Sequence, residues 1–331
     1  MIEFKPPKNV DACLFKSDTS SFNYITQGAP VEGYCILKPD MTLTLYISPL
    51  EVFESDKFIV KSLKEFKDDL ENFSCLGLCF EDFSLDWKSR FEKIELFDIG
   101  NNLKDIRIKK NIKERQLISL ACKETVKCFN DLVRNWDFVS ELGAVRFIKE
   151  YAARNDLQLA FEPIVASGAN SAIAHHRPSD KLFKGFCVID FGFSYKGYCA
   201  DMTRTVYLGI PSIDEKAFYE KVLKVQGECL NGVQAGVKAM DLHNKAVKIF
   251  GEDASNFIHS LGHGIGLEVH ELPRIHAKSE DLIQEFSCLT IEPGLYINGK
   301  HGVRIEDTVL ALEDKECRVL TDANRELITL N

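Results

Sequence analysis

No stretch of this sequence is apolar for long enough to cross a bilayer, and its first residues, MIEFKPPKNVDACLF, hold no apolar run of the kind a signal peptide needs. The expectation is a cytoplasmic protein with no membrane partner. A basic surplus is absent too. Against 41 lysines and arginines stand 50 aspartates and glutamates, a formal charge of −9, which excludes nucleic acid as the main partner because phosphate binding is built on excess lysine and arginine. The densest basic stretch, KDIRIKKNIKER at 104–115, reads as a solvated approach to a helix. Eleven cysteines are present but no C-x-x-C pair, and Cys75 with Cys79 is the closest spacing of note. An odd number of dispersed cysteines among apolar neighbours reads as reduced core residues. Low complexity and disorder-type composition are also missing: 45% hydrophobic and 27% charged residues are those of a globular chain, and 331 residues leave room for two domains.

What is there divides near residue 108, where DIGNNLKDIRIKKN supplies turn residues and a shift in charge. Ahead of it, GYCILKPDMTLTLYIS predicts two strands around a Pro39-Asp40 turn, LKEFKDDLENF a helix, SCLGLCF a buried strand and LDWKSRFEKI another helix. Residues 1–108 are therefore expected to form a small α/β domain. Beyond it, Asn111 and Glu114 predict a capping pair, and Ile118, Ala121, Cys122, Thr125, Phe129, Leu132 and Val133 share one helical face. Further helices are expected near Ser140, Asp214 and Asp241, the last capped by its aspartate. With strands between them, residues 109–331 predict helices on a mainly antiparallel sheet, an α+β arrangement.

Half of the eight histidines fall in HSLGHGIGLEVHELPRIH, residues 259–276. His259 and His263 have the i, i+4 spacing of a zinc-binding helix, but Gly262, Gly264 and Gly266 would each cost a helix interior about 1 kcal/mol, so the segment is loop or strand. Acidic company lies in two hairpin-like segments. VIDFGFSYKGYCADMTRTVYLG (188–209) carries Asp190 and Asp201 on its two arms, turning at Lys196-Gly197. LTIEPGLYINGKHGVRIEDTVLAL (289–312) carries Glu292 before a Pro-Gly turn and Glu306 on its return strand. Four carboxylates among buried apolar residues need compensating charge, which two divalent cations would supply. An oxygen-rich set with one imidazole suits Mn²⁺ first, with Co²⁺, Fe²⁺ or Zn²⁺ as alternatives.

The motifs VIDFG…ADMTRT, SLGHGIGLEVHELPRI, IEPGLY and GVRIEDTVL resemble, in order and spacing, the pita-bread metallopeptidases, which include methionine aminopeptidase, aminopeptidase P, prolidase and the metal-free creatinase. The likeness covers roughly residues 105–330. It implies a C-terminal pita-bread domain holding two divalent ions on Asp190, Asp201, His263, Glu292 and Glu306, and a homodimer. It further implies that His259 and His175 line a proline pocket, that His270 contacts the substrate amide or the tetrahedral intermediate, and that His276 is surface; His176 is a less certain neighbour of His175. Residues 1–108 resemble the family's N-terminal domain only loosely, through FNYITQGAPVEGYCILKPD and LYISPLE. Methionine aminopeptidases usually lack such a domain, whereas the proline-directed branch and creatinase carry one; the resemblance thus points to an Xaa-Pro aminopeptidase or an Xaa-Pro dipeptidase, with both activities open.

The implied chemistry is metal-assisted hydrolysis of the bond before proline in short peptides with proline second. Glu292 would shuttle a proton from water to the departing amine, and His270 would meet the oxyanion. Arg304 would orient a ligand carboxylate, bind substrate or form a structural salt bridge. The rivals are a methionine aminopeptidase-like peptidase and a non-catalytic binding protein of the same fold.

Overall fold

Alternating apolar residues before and after the Pro39-Asp40 turn make an antiparallel pair, in which Leu37 faces Leu43 and Gly33 faces Ile47. The pair belongs to the first of two units seen in the computed structural model, which describes residues 3–313 and 317–330; the units divide between Arg107 and Ile108. In the first unit β1 (Ala12–Lys16), β2 (Gly33–Leu37), β3 (Leu43–Ile47), β4 (Ile59–Ser62), β5 (Cys75–Leu78) and β6 (Glu95–Asp98) form one mixed sheet, ordered β4-β3-β2-β1-β5-β6. Its helices are short: α1 (Ser20–Thr26), α2 (Phe66–Leu70), α3 (Leu85–Lys88) and α4 (Gly100–Ile108). Two of them correct the sequence reading. LKEFKDDLENF splits into a 3₁₀ turn at Leu63–Glu65, started by a Ser62/Glu65 capping box, and α2. LDWKSRFEKI is α-helical only at Leu85–Lys88 and tightens into a 3₁₀ turn at Ser89–Phe91, where the Ser89 hydroxyl donates back to the Asp86 carbonyl (2.7 Å) while Trp87 packs against Phe83 and Phe91.

The second unit carries the longer helices α5 (Ile112–Arg134), α6 (Glu141–Arg154), α7 (Ile213–Leu230) and α8 (Ala239–Phe250). Asn111 accepts from the backbone of Lys113 and Glu114 while Glu114 reaches back to Asn111, so α5 starts at its capping box. Its apolar face, with Ile118, Phe129 and Leu132, is buried; each such side chain contributes about 1.5–3 kcal/mol. Ser212 and Glu215 cap α7 in the same way. Helix α8 begins three residues earlier than a cap at Asp241 would place it: Lys238 precedes it without a side-chain cap, and Ala239 N–H donates instead to the Asp281 carbonyl. Asp241 sits in the first turn, where its charge meets the positive end of the helix dipole.

The strands of this unit are β7 (Gln158–Leu159), β8 (Ile164–Ser167), β9 (Gly185–Phe191), β10 (Phe193–Tyr195), β11 (Tyr198–Cys199), β12 (Met202–Leu208), β13 (Gly262–Gly264), β14 (Glu271–Ile275), β15 (Cys288–Ile291), β16 (Gly294–Ile297), β17 (His301–Arg304), β18 (Asp307–Leu310), β19 (Arg318–Val319) and β20 (Thr329–Leu330). They pair as β20-β12-β9-β8, β14-β13-β15-β18-β19, β11-β10-β7 and β16-β17, antiparallel except for β12 with β20. Phe129 and Leu132 of α5 with Ala144 and Ile148 of α6 share a core with Ile189 and Val206; Val222 and Val225 of α7 with Leu242 and Ala246 of α8 share another with Leu289, Val303 and Val309. The unit is α+β. The basic approach to α5 is not all solvated: Lys110 is buried, its ammonium 2.7 Å from the Glu271 carboxylate, and Arg107 is buried with a bond to the Ser20 hydroxyl. All eleven cysteines are free and nine are buried. Among the described residues no helix is long and apolar enough to cross a membrane.

Candidate metal centre

Each acidic segment is two hairpins, one nested in the other. In the first, β9 pairs with β12 as far as Phe191 and Met202; the chain then leaves that ladder at Gly192, runs out and back as β10 and β11, and rejoins at Asp201. In the second, β15 pairs with β18 as far as Ile291 and Asp307, while β16 and β17 depart as a separate ribbon. Glu292-Pro293 and Ile305-Glu306 form that second break. A strand alternates its side chains strictly between faces, but a break in the ladder frees consecutive residues from the alternation. Asp201, Glu292 and Glu306 occupy the breaks, and Asp190 lies one residue inside the first. Glu306 is thus between strands rather than on the return strand. His263 sits in β13, where the pairing with β14 slips by a bulge. The glycines beside it have a steric reason: a Cβ on Gly262 would lie 2.0 Å from the Thr290 carbonyl oxygen, and one on Gly264 2.0 Å from that of Leu272.

These elements face one cavity of about 730 Å³. Asp190, Asp201, His263, Glu292 and Glu306 all line it, and so do His175, His259, His270 and Arg304. Ligand atoms of Asp201, His263 and Glu306 lie within 4.8 Å of one another, and His263 Nε2 is 3.3 Å from Glu292 Oε1. His263 Nδ1 faces the Gly264 carbonyl at 3.1 Å; a carbonyl only accepts, so Nδ1 carries a proton, and Nε2 faces the carboxylates, donating to Glu292 when the ring is charged and offering a lone pair to a cation when it is neutral. His270 stands edge-on to His263, ring centres 4.3 Å apart.

The charges demand a cation. Burial, then repulsion from Glu306, pushes the Asp201 carboxyl well above its ordinary range. Burial, then Glu292 and Asp190, does the same to Glu306. Asp190 is raised by burial against the opposing pull of Arg304. Only Glu292 is lowered: burial works against it, but the hydrogen bond and charge of His263 prevail. Asp190 Oδ1, Asp201 Oδ1 and Glu306 Oε1 are buried without a hydrogen-bond partner among the described residues. Three bare carboxylate oxygens beside an imidazole lone pair, with no thiolate, fit hard or borderline divalent cations.

Several residues around the centre escaped the sequence reading. Thr203, paired across the ladder with Asp190, donates to Glu306 Oε2 (2.6 Å) and accepts from Arg304 Nε (3.1 Å). Arg304 donates from Nη2 to Asp190 (2.6 Å) and from Nη1 to the Tyr296 hydroxyl (2.8 Å). Tyr296 in turn lies 3.0 Å from His259 Nε2, while His259 Nδ1 faces the Ser260 carbonyl. Arg204, on the other face of β12, is buried against Asp307 (2.6 Å) and also bonds to the Glu306 carbonyl. The alternation Thr-Arg-Thr in ADMTRT was the available signal: Thr203 and Thr205 both reach the second hairpin, Thr205 through the backbone of Arg304. His276, read as surface, lines the cavity, whereas His176 does not: its Nε2 lies 2.8 Å from Glu141.

Residues 115–313 match the model of metallopeptidase family M24. The chain belongs to that family. Among its M24 relatives is the Xaa-Pro dipeptidase of Pyrococcus horikoshii, 34% identical over 99% of this chain and 97% of the relative. The solved prolidase from Pyrococcus furiosus superimposes with a TM-score of 0.87 at 33% identity, covering 96% of this chain and 97% of the other. The X-Pro aminopeptidase from Thermotoga maritima gives 0.87 at 31%, covering 97% and 98%. The α+β unit is the pita-bread domain of these M24 structures, and the chain is a hydrolase dependent on divalent metal.

Proposed function

We propose that this M24 chain hydrolyses the bond before proline at the N-terminus of short peptides, and that it prefers Xaa-Pro dipeptides. The observation that carries the reading is the convergence on one cavity of five ligand groups, three with bare buried oxygens, and of His175, His259 and His270. Two divalent ions per chain, held by Asp190, Asp201, His263, Glu292 and Glu306, would activate water and polarise the scissile carbonyl. Asp201 and Glu306, whose ligand atoms lie within 4.8 Å of each other and of His263, would both help to hold them. The oxygen-rich donor set favours manganese.

Glu292, which lines the cavity beside His263, would take the proton from water and deliver it to the departing amine. His270 stands free on the cavity wall, its pKa pushed down by partial desolvation and by His263, and supplies a neutral N–H to the developing oxyanion. His259 has both ring nitrogens engaged, so it offers the substrate a ring surface. The proline ring, which lacks an amide hydrogen, needs such apolar contact rather than a donor's partner.

Arg304 has its guanidinium taken up by Asp190, Thr203 and Tyr296, which makes it the holder of Asp190 rather than a reader of substrate. Arg274 is exposed at the same cavity, and its side chain makes no hydrogen bond or ion pair among the described residues. It is the group suited to a dipeptide's free carboxylate. The names of the Pyrococcus relatives agree with a dipeptidase. The free cysteines suit a reducing, cytoplasmic setting. Assembly as a homodimer completes the proposal and is read by light scattering.

The test is a substrate panel on metal-loaded protein with elemental analysis. Ala-Pro is cleaved, Ala-Pro-Ala slowly, and Met-Ala-Ala not. Cleavage of Met-Ala-Ala in preference would move the chain to the methionine aminopeptidase branch, and a chain that binds no metal would end the peptidase reading.

A further inference from the structure

His175 reaches the cavity on a segment, 167–179, whose regular structure is limited to the end of β8 and one 3₁₀ turn at Gly168–Ala172. A single carboxylate gathers that segment. Glu141, the first residue of α6, has a fully buried side chain. Its Oε1 accepts from Ser167 N (2.7 Å), Ser167 Oγ (2.8 Å) and Asn170 Nδ2 (2.9 Å). Its Oε2 accepts from Ser179 N and Ser179 Oγ (both 2.8 Å) and lies 2.8 Å from His176 Nε2. The two ends of the segment are therefore tied to the two oxygens of one group. Capping does not explain it, since Ser140 accepts from Gly143 N and caps α6 already. Nor is Glu141 among the residues that line the cavity.

A buried carboxylate is costly unless nearly all its acceptor positions are filled, and here they are filled by one stretch of chain. His176 is held by the hub, and His175 is its chain neighbour. The far side of the segment is pinned as well: Ser171 Oγ accepts from Gly302 N (2.8 Å), and the Ala174 carbonyl lies 3.4 Å from Arg304 Nη1.

We propose that Glu141 is a positioning residue for substrate recognition, fixing segment 167–179 so that His176 turns inward and His175 faces the substrate. The proposal rests on the reading of His175 as a substrate contact. Its test is a double-mutant cycle on the full-length, metal-loaded protein with Ala-Pro, comparing parent, Glu141→Gln, His175→Ala and the double variant. Glutamine keeps the size but loses the charge and turns an amide toward donors on one side. A misplacement of about 1 Å can cost on the order of 100-fold, so each single change is expected to raise KM about tenfold or more, with kcat within a few-fold and metal content unchanged. The double variant is expected to be no worse than His175→Ala alone. Effects that multiply, an unchanged KM in either single variant, or a parallel loss of kcat and bound metal in Glu141→Gln would overturn the proposal. Should Glu141→Gln fail to fold, Ser179→Ala removes one bond and keeps the backbone bond; the same cycle then gives a smaller, equally non-additive rise in KM, and a multiplying effect overturns the proposal there too. An active parent with multiplying effects removes this inference alone, whereas a parent inactive on Ala-Pro removes the proposed function with it.

Discussion

Replacing Thr203 by valine keeps the shape of a fully buried side chain and deletes one hydroxyl. That hydroxyl donates to Glu306 Oε2 at 2.6 Å and accepts from Arg304 Nε at 3.1 Å, so both an acid and a guanidinium lose a partner where water is excluded. Each buried polar group left unsatisfied costs about 1–3 kcal/mol, which sets the expected loss of stability in the chelated protein at no less than about 2 kcal/mol. Glu306 is affected most, because its other oxygen already has no hydrogen-bond partner. Its orientation toward bound metal then loosens, and removing an outer partner of a ligand costs about 10- to 100-fold in affinity. Urea denaturation of the chelated protein and calorimetric titration with Mn²⁺ measure the two effects. Thr203→Ser, which keeps the hydroxyl, is the control; losing the methyl costs it about 0.8 kcal/mol. If the valine variant matched the serine variant in both stability and Mn²⁺ affinity, the coupling of Thr203 to the centre would be refuted.

Asp201→Asn is expected to lower turnover at least about 100-fold at saturating metal with the circular dichroism unchanged, and near-parental turnover would remove Asp201 from the centre. Acid should act through Glu141, whose pKa falls from 4.5 to about 2 because bonds from Asn170, Ser167 and His176 outweigh its burial. A value below that of the unfolded chain means stability present above about pH 4.5 and lost as the pH falls toward about 2, so the stability gap between parent and Glu141→Gln should narrow across that window. Denaturation midpoints at intervals through the window measure it, and a constant gap contradicts the assignment.

The carboxylates that line the cavity were legible in the sequence because acids among Val188, Ile189, Ile291 and Val303 break the apolar pattern of strands that must be buried. The capping box at Asn111 was legible because it is local. What was not legible depends on distant chain. Ala239 begins α8 because a carbonyl 42 residues later receives its N–H, which no local rule foresees. Lys110 in a basic run looked solvated, but it is buried against Glu271, 161 residues away. Glu141 and Arg274 were not singled out in the sequence, because what each does depends on groups far along the chain. The breaks at Gly192 and Glu292-Pro293 hide in what scans as continuous hairpin, because alternation reports which face is buried but not which partner strand is taken.

The nested hairpins also set when the centre can exist. Thr203 meets Glu306 across 103 residues, and Thr308 meets Asp201 across 107, so the carboxylates converge only after both hairpins have docked. Contacts so far apart in sequence must overcome chain closure before they return any stabilisation, and they form late. Divalent ions therefore have little to grip in the partly folded chain. Ions held by these groups would act after the fold is made, slowing its unfolding more than hastening its formation, so that metal would govern how long the native molecule lasts rather than whether it is reached.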